Sequence, residues 1–535
     1  MTRPEVPGTT ESSRPTHTAA GNGTAHGAAI GGAAADGAAM DGAATDGAAM
    51  HGAAADGAAM DGAAADGAAM DGATADGAAM DGATAAGNGT ARRTSGAPET
   101  ATAGGAAPLT NDRLQSGPPI TERVLYVPRM SFSAARCFAA ALRSRGLDAR
   151  PFPPSDGQTL ELGGRYTSGE ECFPERVTLG DALKIVLAPG ARPEKVAFFM
   201  PLAPGPCRFG QYAPFLRRVL DSVGATDAMV VSPTSSQGYD GLGVDARGLQ
   251  RTAWRALVVA DILRKALLRV RPYEREPGAA DAVHERAVGE ACQLLEHRDD
   301  DTRRHLARLR SLMESTAARF ESIPRRDEER LLIGIVGEIF CRLNTFSNEE
   351  LIRKLETQGG EAWISDIIEW VYYTNLEHRK KWLPYEGQRW SRAMLAAYLK
   401  DFIQHRDEHT LIEPFHALFA GREEPDQVAR VTDDAEPYLP AEGVYGEMVL
   451  NVGKSVYLWS KGCDGIIDIS PFTCMNGIVS EAVYPKLSRD HDGIPIRIFY
   501  FDGTQSHLER DLGIFLELAR SYRRRKRHAI GGAHA

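Results

Sequence analysis

The chain has no apolar run long enough to cross a bilayer, and its first residues hold no Leu-, Ile- or Val-rich core of a secretory signal. These absences lead to the expectation of a cytoplasmic protein with no membrane partner. Cysteine is scarce. Seven thiols stand at 137, 172, 207, 292, 341, 463 and 474, with no close Cys-x-x-Cys or Cys/His pair. Spacing this uneven is not a disulfide framework, and it lacks the paired ligands common in structural zinc sites. Branched aliphatic and aromatic residues are almost missing from residues 1–119, where a five-residue unit, Asp-Gly-Ala-Ala-Met or Asp-Gly-Ala-Ala-Ala, repeats from Asp36 onward. Such a stretch cannot bury enough apolar area to offset the entropy of ordering, so it is expected to be a disordered tail. A period of five matches neither a helical face nor a solenoid unit, and a Gly in every unit weakens any helix.

Charge follows the same division. Residues 1–119 hold 13 acids and 5 Arg, a net −8 within a chain of net −10, so the folded part is only slightly acidic. Nucleic acid is therefore not an expected partner. About 415 residues remain, enough for two or three cores.

Past the tail, strand and helix patterns alternate. Apolar runs at Arg123–Met130, Asp148–Phe152, Lys195–Met200 and Ala228–Val231 read as strands. Helices are expected from Ser131 or Ser133 to Arg143, over Glu175–Leu187 and over Tyr212–Val223. This alternation predicts a parallel sheet with helices on both faces, whose ligands gather beyond the carboxyl ends of the strands. Gln250–Val270 and Ala282–Phe320 read as a helical connection. A second unit begins at Leu331, with strands expected at Leu331–Phe340, Ala362–Ser365, Gly465–Ile469 and Ile496–Tyr500. Its helices are expected over Asn348–Gln358, Arg389–Gln404 and Gln505–Tyr522, with helical turns in Glu442–Lys461 and an acidic loop around Asp426–Glu436. The fold class is thus α/β: two Rossmann-like lobes, 120–245 and 329–528, joined by a helical region 246–328, with a flexible end at 529–535.

Three cysteines stand in turn-rich stretches beside Pro or Gly: Cys172 in Glu-Glu-Cys-Phe-Pro, Cys207 in Gly-Pro-Cys-Arg-Phe-Gly-Gln-Tyr, and Cys474 in Ser-Pro-Phe-Thr-Cys-Met-Asn-Gly. Each follows an expected strand or opens an expected helix. A lone Cys is commonly just a small buried residue. Three thiols at such junctions, with few histidines nearby, instead favour an iron–sulfur cluster or zinc. Cys463 is a candidate fourth ligand but suits a buried thiol better, and Cys137, Cys292 and Cys341 look structural.

The chain resembles the 2-hydroxyacyl-CoA dehydratase and benzoyl-CoA reductase superfamily, in particular its cluster-binding proteins related to the acyl-CoA dehydratase activase. The likeness rests on Glu171-Cys-Phe-Pro, Gly205-Pro-Cys-Arg-Phe-Gly-Gln-Tyr212, Val336-Gly-Glu-Ile with Arg342 and Asn348, Asp464-Gly-Ile-Ile through Met475, and Tyr500-Phe-Asp-Gly503. The usual Cys-Met-Pro-Gly reads Cys474-Met-Asn-Gly477 here. The resemblance implies a 4Fe–4S cluster on Cys172, Cys207 and Cys474. It also implies low-potential electrons delivered by a separate ATP-hydrolysing activator and an acyl-CoA-like substrate. An electron carrier, scaffold or redox sensor without its own substrate is the alternative.

Other motifs carry less. Asn451-Val-Gly-Lys-Ser455 mimics the end of a phosphate loop, but Met448 stands where a Gly is required, so a turn or helix start is expected there and no ATPase activity. Arg208 suits either an anionic cluster or phosphate, or an ordinary surface ion pair. Glu170, Glu171 and Glu338 are candidate acid–base groups, each equally at home as a cap or solvated charge. Arg523–Arg527 reads as the solvated basic end of a helix.

Overall fold

The computed structural model describes residues 118–201, 206–233, 242, 244, 246–298, 301–385, 387–388, 391–440, 446–504 and 507–532. The repeat tail lies outside them, apart from Pro118 and Pro119, and so does Gly205 of the Cys207 motif. Among the described residues no helix is long and apolar enough to cross a membrane.

The first lobe runs β1 (Val124–Val127), α1 (Phe132–Arg143), β2 (Asp148–Pro151), α2 (Gly157–Tyr166), α3 (Phe173–Val186), β3 (Val196–Phe199), α4 (Tyr212–Ser222) and β4 (Met229–Val231). Three helices follow, α5 (Ala246–Val270), α6 (Ala279–Glu296) and α7 (Thr302–Glu321). The second lobe opens with β5 (Leu331–Gly337), α8 (Ile339–Leu343), α9 (Leu351–Thr357), β6 (Gly360–Ile364) and α10 (Ile367–Glu377). It continues with the single turn α11 (Leu383–Tyr385), α12 (Arg392–Ile412), α13 (Val428–Ala435) and α14 (Glu447–Ser460). It closes with β7 (Gly465–Pro471), α15 (Met475–Asp490), β8 (Ile496–Phe501) and α16 (Leu508–Gly532).

Both sheets are parallel and four-stranded, in the orders β2-β1-β3-β4 and β6-β5-β7-β8. Strands β3, β5 and β7 are buried along their whole length, as parallel strands covered on both faces must be, which is why each is a nearly unbroken apolar run. In each sheet the order reverses between the first and third strands. Loops leaving the carboxyl ends of those two strands part there and leave a crevice.

Helix α5 ties the lobes together. Its apolar face (Ala253, Val259, Leu263, Ala266) is buried in a core shared with α1 of the first lobe and β6 of the second. Its charged groups are paired: Arg255 with the fully buried Asp407 at 2.8 Å and Arg264 with Asp366 at 2.9 Å, while Trp254 donates to the Gln404 carbonyl at 3.1 Å.

The structure departs from the sequence expectations in several places, among them the strand expected over Leu331–Phe340, which ends at Gly337 where Glu338 caps α8. Helix α2 was not anticipated, because Gly163 and Gly164 lower helix propensity. Here Gly163 is needed: a Cβ would meet the Arg176 carbonyl of α3 at 2.2 Å. Helix α10 also escaped notice. The expected acidic loop at 426–436 contains α13, whose Val428, Val431 and Ala435 share a face buried beneath its charges. Asn451–Ser455 is neither turn nor helix start but lies inside α14.

Candidate functional site

All three singled-out cysteines take the same local role. Cys172 is the N-cap residue of α3, Cys474 that of α15, and Cys207 that of the short 3-10 turn Arg208–Gln211 leading into α4. Each has extended backbone (φ −69°, −67° and −66°), and none makes a regular side-chain capping bond. The sulfurs nevertheless feel amides of the turns they precede: those of Glu175, of Phe209, and of Asn476 and Gly477 each favour the corresponding thiolate. Cys207 follows the third strand of its sheet, and Cys474 follows the third strand of the other. The two therefore flank equivalent crevices.

Arg208 joins the three loops. Its guanidinium donates to the Glu170 carbonyl at 2.7 Å, two residues before Cys172, and to Thr473 Oγ1 at 3.0 Å, next to Cys474. Among the described residues no ion pair of Arg208 is found, and its two hydrogen bonds make it a strut between the lobes. Thr473 is held at φ 65°, a left-handed conformation that a β-branched residue rarely adopts. The lobes meet again where Asn344 Nδ2 donates to the Arg129 carbonyl at 2.8 Å, and where Gly503 abuts Phe173 so closely that a Cβ would fall 2.8 Å from its ring.

Around these loops burial outweighs the positive charge of Arg208 and Arg342 and raises the acids and thiols. Burial pushes Cys172 up to about 12, with the Glu338 charge adding to it, while a 2.7 Å hydrogen bond with Tyr212 Oη opposes it. Cys474 is likewise pushed to about 12, by burial and then by Glu338. Cys207 is the exposed one of the three, yet enough protein surrounds its sulfur that burial, with Glu447 and Glu338, still raises it. Glu338 is the N-cap of α8, accepting from Phe340 N at 3.0 Å and Cys341 N at 2.7 Å, and burial raises it. Glu447 accepts from Ile339 N at 3.0 Å and is pushed to about 8 by burial and by Glu338. Glu175, one turn into α3, is pushed to about 7 by burial. Arg342 faces Glu338 and Glu447 but donates to the Gly337 carbonyl at 2.7 Å.

Beside Arg208 opens a cavity of about 240 Å³, walled by Glu170, Glu171, Glu175, Gln211, Phe215 and Arg218 among others. Of the acid–base candidates, Glu171 is a turn cap. Burial pushes its carboxyl up, but the Ser168 and Gly169 amides, at 2.8 and 3.1 Å, prevail and hold it below the usual range. Glu170 contributes only its carbonyl to Arg208.

Of the remaining cysteines, Cys341 is buried beside the site, where burial, Glu338 and the neighbouring Cys172 and Cys474 raise it; the other three stand apart. Cys463 is fully buried before β7, whereas Cys474 follows the far end of that strand. Seven strand residues separate them by about 20 Å, so Cys463 is not a fourth ligand. Cys137 and Cys292 touch at 4.0 Å between α1 and α6, far along the chain from the three turns. Lys454 is wholly buried in α14, paired with Glu369 at 2.5 Å and with Glu424, which places it in the core and not on a phosphate.

Among the described residues no three His, Cys, Asp or Glu surround a single-ion position. A cluster does not require that spacing, because its irons and sulfides lie between the protein sulfurs. The donor set fits a cluster in its chemistry: three thiols, three sets of turn amides and one arginine, Arg208, bridging their loops.

Sequence alone did not reveal Tyr212 as a partner of Cys172, nor Glu447 as part of the acidic floor. Glu447 directly precedes the apolar run of α14, and that position was the only available signal. No family model and no curated protein matches the chain.

Proposed function

We propose that the chain binds a 4Fe–4S-type cluster on Cys172, Cys207 and Cys474 and acts as the iron–sulfur component of an enzyme resembling 2-hydroxyacyl-CoA dehydratases and acyl-CoA reductases. The observation that carries this reading is the Arg208 strut, which holds the turns bearing the three thiols together across two lobes. Such a cluster supplies one-electron transfer at low potential.

The protein's own groups prepare that site. Turn amides and the Tyr212 hydroxyl stabilise sulfur charge. Thiols raised toward 12 keep their protons until a metal displaces them, so loading releases protons. The cavity beside Arg208 is smaller than an entire coenzyme A ester and matches its acyl end. Arg208 and Arg218 can hold an anionic group there, and Glu175, poised near neutrality, can give or take a proton. This cavity favours a component with its own substrate over a bare electron carrier.

With Lys454 committed to the core, ATP hydrolysis falls to a separate activator protein. Phe472 and Ile478, both more than half exposed beside Cys474, offer it an apolar landing next to the cluster loop. Anaerobic reconstitution with iron and sulfide tests the proposal. About four irons and four sulfides per chain, with an electron-paramagnetic signal on reduction, are expected. Less than one iron per chain would overturn it.

A further inference from the structure

The second lobe has another concave site, at the opposite end of its sheet. A cavity of about 540 Å³ lies at the amino ends of β5 and β7. Its walls are the segment leading into β5, the Lys461–Asp464 turn before β7, and one face of α16. Cys474 and Glu338 stand beyond the carboxyl ends of those strands, about 20 Å away by strand length.

The lining is unusually cationic. Nine Arg and Lys side chains face four carboxylates, Asp327, Glu328, Glu329 and Asp464. Two further acids outside the lining share the load: Glu361 holds Arg269 and Arg422, and Glu423 holds Lys461. Nine cations against six carboxylates still leave an excess of three. The surplus is visible in individual residues. Arg325 reaches only the Glu321 carbonyl and Arg326 only the Arg275 carbonyl, each at 3.5 Å, and neither has a carboxylate partner among the described residues.

The basic run Arg523–Arg527 belongs here. Helix α16 continues to Gly532, so these residues do not end a helix as the sequence suggested. Arg523, Lys526 and Arg527 share a face by their spacing of three and four. That face is held in place from below. The almost wholly buried Asp464 binds Arg523 and, at 3.2 Å, Lys526, while Glu329 binds Arg527 at 2.6 Å. Cations fixed in this way lose little side-chain freedom when an anion arrives, and guanidinium forks match phosphate oxygens in pairs.

We propose that this cavity binds a small polyphosphate anion, a pyrophosphate group or longer, with Arg325, Arg326, Arg523, Lys526 and Arg527 as its ligands. The volume suits a pyrophosphate with room for a nucleoside. The cations converge on one hollow and do not form a stripe along the surface, which disfavours a nucleic-acid duplex. The site is separate from the cysteine crevice and does not depend on its cluster.

The test is titration calorimetry on the full chain with inorganic pyrophosphate, ADP, AMP and a short DNA duplex. Saturable binding of one pyrophosphate per chain is expected, weakening as salt rises. It should fall at least tenfold in the Arg325→Ala/Arg326→Ala variant, two exposed positions with no role in the core, and stay unchanged in Cys172→Ser. ADP binding as tight as pyrophosphate would identify a nucleotide as the source. Pyrophosphate binding with ADP excluded would identify a free polyphosphate. No saturable binding, equal affinity in the double variant, or preference for the duplex would each overturn the proposal.

Discussion

The two lobes share one strand order and use it differently. The first sends Cys172 and Cys207 to its crevice and keeps that side open: Cys207 and Arg208 are exposed, and the 240 Å³ cavity lies beside them. The second sends Cys474, with the buried Cys341 of α8 close by, and closes its side with buried acids. Glu338 caps α8, Glu447 opens α14, and Lys454 with Glu369 and Glu424 forms a buried charge cluster behind them. Topology alone therefore fixes where a site can form. The side chains at the strand ends decide that one lobe offers access and the other a rigid, acidic floor.

That contrast breaks most visibly at Lys454. Lys454→Ala strands the buried Glu369 and leaves Glu424 with Lys265 alone as its ion-pair partner, and a loss of about 3–5 kcal/mol in unfolding free energy is expected from chemical denaturation. A variant as stable as the parent would mean that the second lobe is not held by buried charge and that the lysine is free for another role.

The acidic floor also has a pH signature. The Glu447 carboxyl is raised to about 8 in the folded protein, above its ordinary value of 4.5. Between those two values the folded state holds a proton that the unfolded chain has lost. Its contribution is complete below about 4.5 and disappears as pH rises through 8. The metal-free protein should thus lose stability from pH 5 to 8, and Glu447→Gln should make that decline shallower. A decline of the same slope in the variant would remove Glu447 from the floor.

The smallest expected effect lies at the seam between the lobes. Thr473 occupies left-handed backbone at a cost of order 1–3 kcal/mol, of which glycine recovers part and loses about 0.5–1 kcal/mol to its freer unfolded chain. Thr473→Gly should therefore melt at or slightly above the parent temperature, while losing the hydroxyl that Arg208 grips. A fall of several degrees would show that the hydroxyl contact outweighs the strain.

Much of this was legible in the sequence because the signals were local. The apolar runs of β1, β3, β5 and β7 announce buried parallel strands, and the Pro and Gly beside Cys172, Cys207 and Cys474 announce turns at strand and helix ends. What stayed hidden depends on distant partners. The glycines of α2 look helix-breaking until α3 is packed on them. Gly453-Lys-Ser455 looks like part of a phosphate loop until α13 is seen 1.8 Å from the Cβ that Gly453 lacks. Nothing in the Cys172 motif points to Tyr212, forty residues away. The basic run of α16 reads as a solvated end until the Asp464 turn is brought against it.

The central claim is that both lobes supply one shared cluster. Iron content after anaerobic reconstitution of Cys172→Ser and Cys474→Ser, one variant from each lobe, tests it most directly. Each is expected to lose most of its iron, to the same extent, while Cys463→Ser retains the full complement. Full iron in Cys474→Ser alongside loss in Cys172→Ser would place the site within a single lobe and contradict it.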